Sequence, residues 1–337
     1  MTKFTAFAAL NVKEKLQQWQ YEPAPLAENQ IEIKITHNGL CHTDISMRDN
    51  EWGYTKFPLV AGHEVVGLVT EIGAKVTNLK IGDRVGCGLI RNSCRVCDHC
   101  LQGEENACRQ GFQSLIVGNH GGFADKMRIN ADFAYKIPDA LDSASAAPLL
   151  CAGITVYNPL RTYIKNPGMK VGIIGIGGLG HLAIKFARAM GAEVTALSSS
   201  QNKESEAKEF GAHHFQLWGN AETMKDAIAS FDLLLTTASV ELDWDLAFSL
   251  LANNGVLCFL GIPVSSINVP LIPLIFGQKS VAGSAVGGRK FMTEMLEFAA
   301  INQIKPMIET MPLSQVNEAM DKVFANKARY RIVLVSE

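Results

Sequence analysis

The sequence predicts an α/β protein of two domains: a mostly β unit over residues 1–150, completed by 287–337, and a doubly wound parallel sheet over 151–286. Three observations carry this. The chain has 337 residues, more than one hydrophobic core usually supports. Its first third alternates with the two-residue period of half-buried strands and is punctuated by glycine. Beyond Cys151 the pattern changes to apolar strand, helix, apolar strand, the cadence of a parallel sheet with helical crossovers.

In the first unit, Gln30-Ile-Glu-Ile-Lys-Ile-Thr36 alternates cleanly, Glu64 to Gly73 reads as a second strand, and Gly82-Asp83-Arg84-Val85 as a turn entering a third. In the second, Lys170 to Gly175 is an apolar strand, and Leu179 to Met190 a helix closed by Gly191. Glu193 to Leu197 is the next strand, and Asn202 to Phe210 a helix closed by Gly211. Phe231–Leu235 and Gly255–Leu260 continue the sheet. The uncharged run Leu246–Gln278 is long enough to span a bilayer. Asn253-Asn254-Gly255, Gly261-Ile-Pro263, Pro270 and Pro273 interrupt it, so buried strands joined by turns are expected. A helix over Met292–Asn302 and a strand over Tyr330–Val335 return the chain to the first domain.

A formal net charge of −2 without like-charge runs gives no reason to expect a nucleic-acid or acidic-membrane partner. The N-terminus lacks a signal-peptide pattern, and four of the eight cysteines are bunched rather than scattered as cross-links. A cytoplasmic, reducing compartment is expected.

Gly175-Ile-Gly177-Gly178-Leu179-Gly180 follows an apolar strand and opens a helix, the context in which such a motif binds a dinucleotide pyrophosphate. After the second strand stand Ser198, Ser199 and Ser200, then Lys203, where an NAD site carries a carboxylate. Hydroxyls and an ammonium suit a 2′-phosphate, so NADP(H) is the expected cofactor.

Cys94-x2-Cys97-x2-Cys100-x7-Cys108 offers four thiolates in one loop, enough to close a tetrahedron around a structural zinc. Cys41, His63 and Cys151 make a dispersed Cys₂His set of the catalytic kind, with Glu64 able to reach the fourth position. Residue by residue a plainer reading stays open, with Cys151 a core thiol and His63 a satisfied buried imidazole. His213-His214 reads as a surface or helix-end pair.

Taken together, Cys41-His42-Thr43-Asp44, Gly62-His63-Glu64, Gly82-Asp83-Arg84-Val85, the four-cysteine loop, Pro148 to Thr155 and Gly177 to His181 resemble the zinc-containing medium-chain alcohol dehydrogenases. With Ser198–Ser200, the set is most similar to the NADP-dependent cinnamyl alcohol dehydrogenase branch. The resemblance implies a GroES-like domain with two zinc ions per chain, a Rossmann domain, and substrate reacting between them. It implies a homodimer joined through the Rossmann sheets near Ser280–Ser284. It makes Cys41, His63 and Cys151 the ligands of the catalytic zinc, Glu64 its transient carboxylate, and Asp44 the residue that orients His63. Thr43 begins the proton relay, His42 faces the cofactor pyrophosphate, and Thr155 joins the cofactor-binding set. Ser46 stands where many relatives have histidine, so the proton is expected to leave through Thr43, the nicotinamide ribose hydroxyl and water. Trp52, Tyr54, Leu89 and Phe112 are candidates for a substrate pocket that takes aromatic or medium aliphatic aldehydes and alcohols. A zinc polyol dehydrogenase and a zinc-free quinone or enoyl reductase of the same superfamily are the competing activities.

Overall fold

The structure, a computed structural model, describes residues 3–238, 241–262 and 266–337. The chain forms two compact units, residues 1–154 with 287–337, and residues 155–286. Cys151 therefore belongs with the first unit.

The first unit is organised by the strand Gln30–Leu40, whose Ile31, Ile33 and Ile35 are buried in the core. It pairs antiparallel with Val65–Ile72 on one side and with the C-terminal strand Arg331–Val335 on the other. The sheet continues through Arg84–Cys87 to Tyr135–Lys136 at one end and through Ile308–Pro312 at the other. In this register Ile332 faces Leu40 and Val65 faces Asn38, so the returning C-terminus and the His63-Glu64 segment flank the strand that ends at Cys41. A Cβ at Gly39 would lie 1.8 Å from Glu64 Oε2, so glycine is what lets the strand pass the carboxylate.

The second unit is a six-stranded parallel sheet in the spatial order His214–Leu217, Glu193–Ser198, Lys170–Ile174, Phe231–Thr236, Leu251–Phe259, Ser280–Gly283. The order reverses beside Lys170–Ile174, and in open α/β sheets ligands bind beyond the carboxyl ends of the strands at such a switch point. Leu197, Leu234, Phe248 and Leu257 are fully buried against this sheet.

The run Leu246–Gln278 differs from the all-strand expectation. It holds most of a helix, Trp244–Leu250, then the strand Leu251–Phe259 and a short helix, Leu271–Phe276. Pro270 is the residue before that helix and Pro273 lies in its first turn, where a missing N–H breaks no intrahelical bond. Pro263, one of the interruptions read from sequence, lies outside the described residues.

Candidate functional site

Among the described residues, two groups gather ligand atoms within 4.8 Å of one another: Cys94, Cys97, Cys100 and Cys108, and Cys41, His63, Glu64 and Cys151.

In the first group Cys94 Sγ and Cys100 Sγ are 3.8 Å apart. Zinc–sulfur bonds of about 2.3 Å give a tetrahedron whose edge is about 3.8 Å, so this edge matches the span zinc requires. The backbone supports the negative charge: the Cys97 N–H donates to Cys94 Sγ at 3.4 Å. Backbone hydrogen bonds from Cys100 and Arg109 bring the Cys97 thiol down to about 6. Burial pushes Cys100 up to about 12, which a divalent cation would reverse by requiring its thiolate.

The second group is assembled from three distant segments. Cys41 is the residue before the helix His42–Arg48, His63 and Glu64 precede the strand Val65–Ile72, and Cys151 sits in a single π-helical turn, Leu149–Gly153. Such wide turns are rare and recur at functional sites. Asp44, fully buried, ties the first two together. Its Oδ2 accepts the Cys41 N–H at 3.0 Å, and its Oδ1 accepts the Gly62 N–H at 2.9 Å and the His63 Nδ1–H at 2.9 Å. That bond fixes the ring and its tautomer, leaving Nε2 to face the thiols, where it is buried without a hydrogen-bond partner. An orphaned acceptor beside two thiols is a donor set that zinc completes.

The electrostatics agree. Burial disfavours charge on His63, but Asp44 outweighs it and holds the imidazole well above its ordinary value. The hydrogen bond from Cys151 holds Cys41 well below the usual thiol range, and Cys151 is pushed up in turn. Positive charge is thus favoured at Nε2 and negative charge at the Cys41 sulfur, while Cys151 keeps its proton until a divalent cation replaces it. Glu64 is fully buried, and burial pushes its carboxyl up to about 7. Its Oε1 accepts from Arg331, while Oε2 has no partner. Arg331 is a functional neighbour that the sequence did not single out. Its signal is the second arginine of Arg329-Tyr330-Arg331, which opens the apolar strand Arg331–Val335.

His42 is exposed, Thr43 half-buried and Ser46 buried on the helix His42–Arg48 that follows Cys41. Trp52 and Tyr54 are exposed and stack on each other, with ring centroids 5.9 Å apart, while Leu89 and Phe112 are half-buried. The Thr55 side chain donates to the Met47 carbonyl at 2.7 Å and anchors the aromatic loop to that helix.

In the second unit the three glycine positions have different constraints. Gly175 has φ +90°, which the tight turn requires. A Cβ at Gly177 would meet nothing within 4 Å, whereas one at Gly180 would lie 1.9 Å from the Gly175 carbonyl. The first glycine turns the chain, the second leaves open space for a close ligand, and the third lets the helix Gly180–Ala189 pack on the strand. Gly178 and Leu179 complete the turn, and buried His181 is within 3.0 Å of the Gly177 carbonyl through Nδ1. Beyond the next strand, Ser198 is buried, Ser199 exposed and Ser200 half-buried. The Ser200 N–H donates to Ser198 Oγ at 3.2 Å. Lys203 lies 3.5 Å from Glu206. Thr155 is buried in the helix Ile154–Tyr163. His213 Nδ1 accepts the Val194 N–H at 3.0 Å and His214 pairs with Glu193, structural roles for both.

Two family profiles match: one for the alcohol dehydrogenase GroES-like domain at residues 27–139, and one for zinc-binding dehydrogenases at residues 178–300. An aldehyde reductase of Synechocystis is 44% identical over 98% of both chains. Among solved structures, a cinnamyl alcohol dehydrogenase of Sorghum bicolor superposes with a TM-score of 0.94 at 36% identity, covering 99% of this chain and 98% of that one. A cinnamyl alcohol dehydrogenase of Helicobacter pylori, solved in complex with NADP(H), gives 0.89 at 29% identity over 99% and 98%. Sequence, fold and thiol geometry converge, and the chain belongs to the zinc-containing medium-chain alcohol dehydrogenases, on the cinnamyl alcohol dehydrogenase-like branch.

Proposed function

We propose that this chain is a zinc-dependent alcohol dehydrogenase and aldehyde reductase that uses NADP(H), with Cys41, His63 and Cys151 as the catalytic metal ligands and the four-cysteine loop as a structural zinc site. The observation that carries the reading is the buried His63 Nε2, without a hydrogen-bond partner and grouped with two thiols. Zinc held there supplies Lewis-acid polarisation of a substrate oxygen, and the nicotinamide supplies or accepts hydride. Asp44 fixes the imidazole, and Thr43 Oγ1 passes the hydroxyl proton. Ser46 is buried and has no basic nitrogen, so it holds that helix rather than taking up the proton. Gly175, Gly177, Gly178, Leu179 and Gly180 receive the pyrophosphate, Thr155 joins the cofactor-binding set, and Ser198, Ser199, Ser200 and Lys203 recognise the 2′-phosphate. Trp52 and Tyr54, with Leu89 and Phe112, offer an apolar surface suited to aromatic or medium aliphatic substrates.

A homodimer is supported by the outer strand Ser280–Gly283 and by the neighbouring helix Leu271–Phe276, where Ile272 is 74% and Phe276 85% exposed. A cytoplasmic site of action fits eight unpaired cysteines. No helix among the described residues is long and apolar enough to cross a membrane.

The test is initial-rate oxidation of NADPH, and of NADH in parallel, with cinnamaldehyde, benzaldehyde and straight-chain aldehydes. Zinc-replete protein that oxidises neither cofactor with any aldehyde refutes the activity, and a lower KM for NADH than for NADPH refutes the cofactor assignment.

A further inference from the structure

The helix Arg289–Ile301 begins at Gly288 with no side chain of its own to cap it. Its first amide is capped from far away in sequence. Glu105, fully buried between the last two cysteines of the four-thiol loop, accepts the Arg289 N–H through Oε2 at 2.7 Å and the Arg289 Nε–H through Oε1 at 2.6 Å. A carboxylate at this end also opposes the helix dipole. The fit leaves no spare room: a Cβ at Gly288 would lie 2.0 Å from the Gly103 carbonyl, and one at Gly103 would lie 2.5 Å from Lys290 Cβ. A second strut runs from the same loop, with Arg95 paired to Asp132 at 2.7 Å and Asp132 3.8 Å from the Arg289 guanidinium.

The buried face of this helix, Met292, Met295, Leu296 and Ala299, leads to the other metal group. The helix packs on the π-helical turn Leu149–Gly153 that carries Cys151. A Cβ at Gly153 would lie 3.3 Å from Met295 Sδ. One at Gly88 would lie 2.6 Å from the Leu150 carbonyl and 3.1 Å from Met292 Cε. Close packing of this kind transmits a shift rather than absorbing it.

We propose that Glu105 is a positioning residue that couples the two metal centres: closure of the four-cysteine loop places Glu105, Glu105 caps the helix Arg289–Ile301, and that helix holds the turn that presents Cys151. The proposal rests on the reading that both groups bind zinc. It gives the loop a function beyond local stability, since opening it loosens a ligand of the catalytic centre.

The test uses full-length Glu105→Ala and Glu105→Gln proteins loaded with two zinc ions, followed by amide hydrogen exchange and by chelator-driven zinc release. In Glu105→Ala, amides of 289–295 and of 149–153 exchange about tenfold faster, the scale of a lost hydrogen bond to a charged group. The zinc at Cys41, His63 and Cys151 leaves about tenfold faster as well, as for loss of a residue that orients metal ligands. Glu105→Gln keeps an oxygen for the Arg289 N–H and falls between the two proteins; it carries the test if the alanine variant does not fold. Unchanged exchange over 149–153, or wild-type zinc release, overturns the coupling. A wild-type chain that cannot hold two zinc ions refutes the underlying reading instead.

Discussion

Asp44→Asn separates orientation of the metal ligand from the metal ligand itself. In the wild-type structure one carboxylate oxygen takes two donors, Gly62 N–H and His63 Nδ1–H, and the other takes one, Cys41 N–H. Asparagine has one acceptor oxygen, so its better rotamer keeps the two-donor side and turns its NH₂ toward the Cys41 amide. The alternative rotamer would set that group against two donors. The favoured arrangement loses one charge-assisted hydrogen bond, about 1.5–3 kcal/mol, and leaves that amide without its acceptor. It also removes the negative charge that makes the imidazole a stronger ligand, which costs metal affinity about 10–100-fold. The measurement is zinc competition against a graded chelator, with metal counted per chain, beside urea unfolding of the metal-free proteins. One zinc should leave the variant at a chelator strength that wild type resists, while the four-cysteine zinc stays. If both ions leave Asp44→Asn at wild-type chelator strength, Asp44 does not serve the His63 centre and the site as described is wrong.

Four further outcomes follow from the structure. Gly180→Ala forces a Cβ within 1.9 Å of the Gly175 carbonyl and should lower stability by about 1–3 kcal/mol in urea unfolding. Gly177→Ala meets nothing within 4 Å, so it should leave the unfolding midpoint in place and raise only the KM for the cofactor. Lys203→Ala should raise the KM for NADPH about tenfold and leave that for NADH nearly unchanged, which steady-state kinetics with both cofactors will show. Burial pushes the Asp142 carboxyl up, but the Ser145 N–H and Lys305 bring it to about 2, below its unfolded value of about 4. Its contribution is therefore complete above about pH 4 and lost as pH falls through about 2, so Asp142→Asn should flatten the stability profile across that interval and leave it parallel to wild type above.

The strands of both units and the dinucleotide turn are legible in the sequence because their signals are local. The period of Gln30–Leu40 and the spacing of Gly175, Gly177 and Gly180 are fixed by backbone geometry within a few residues. The four-cysteine group is legible for the same reason, its ligands lying within one short loop. The short helix at Leu271–Phe276 was not, because proline is a breaker in the middle of a helix and tolerated at its start, and composition does not say where a helix begins.

The partners of Glu64 and Arg289 could not be read from sequence at all, and the reason is physical. Both are ion pairs made across long stretches of chain around a fully buried carboxylate, Glu64 with buried Arg331 and Glu105 with half-buried Arg289. Apart from Glu64, which stands beside His63, each residue alone looks like an ordinary surface charge. Only the antiparallel register that sets Ile332 against Leu40 brings the first pair together, and only the return of the chain at Gly287 brings the second. Burying a charge is tolerable when the partner arrives in the same folding event, and removing one partner is costly because the other then stays buried uncompensated. These pairs therefore tie the C-terminal segment to the metal-binding loops: the strand Arg331–Val335 brings a cation to the Cys41 centre, and the helix Arg289–Ile301 takes its cap from the four-cysteine loop. Residues 287–337 thus close the first unit with ion pairs to Glu64 of one metal group and to Glu105 in the loop that carries the other.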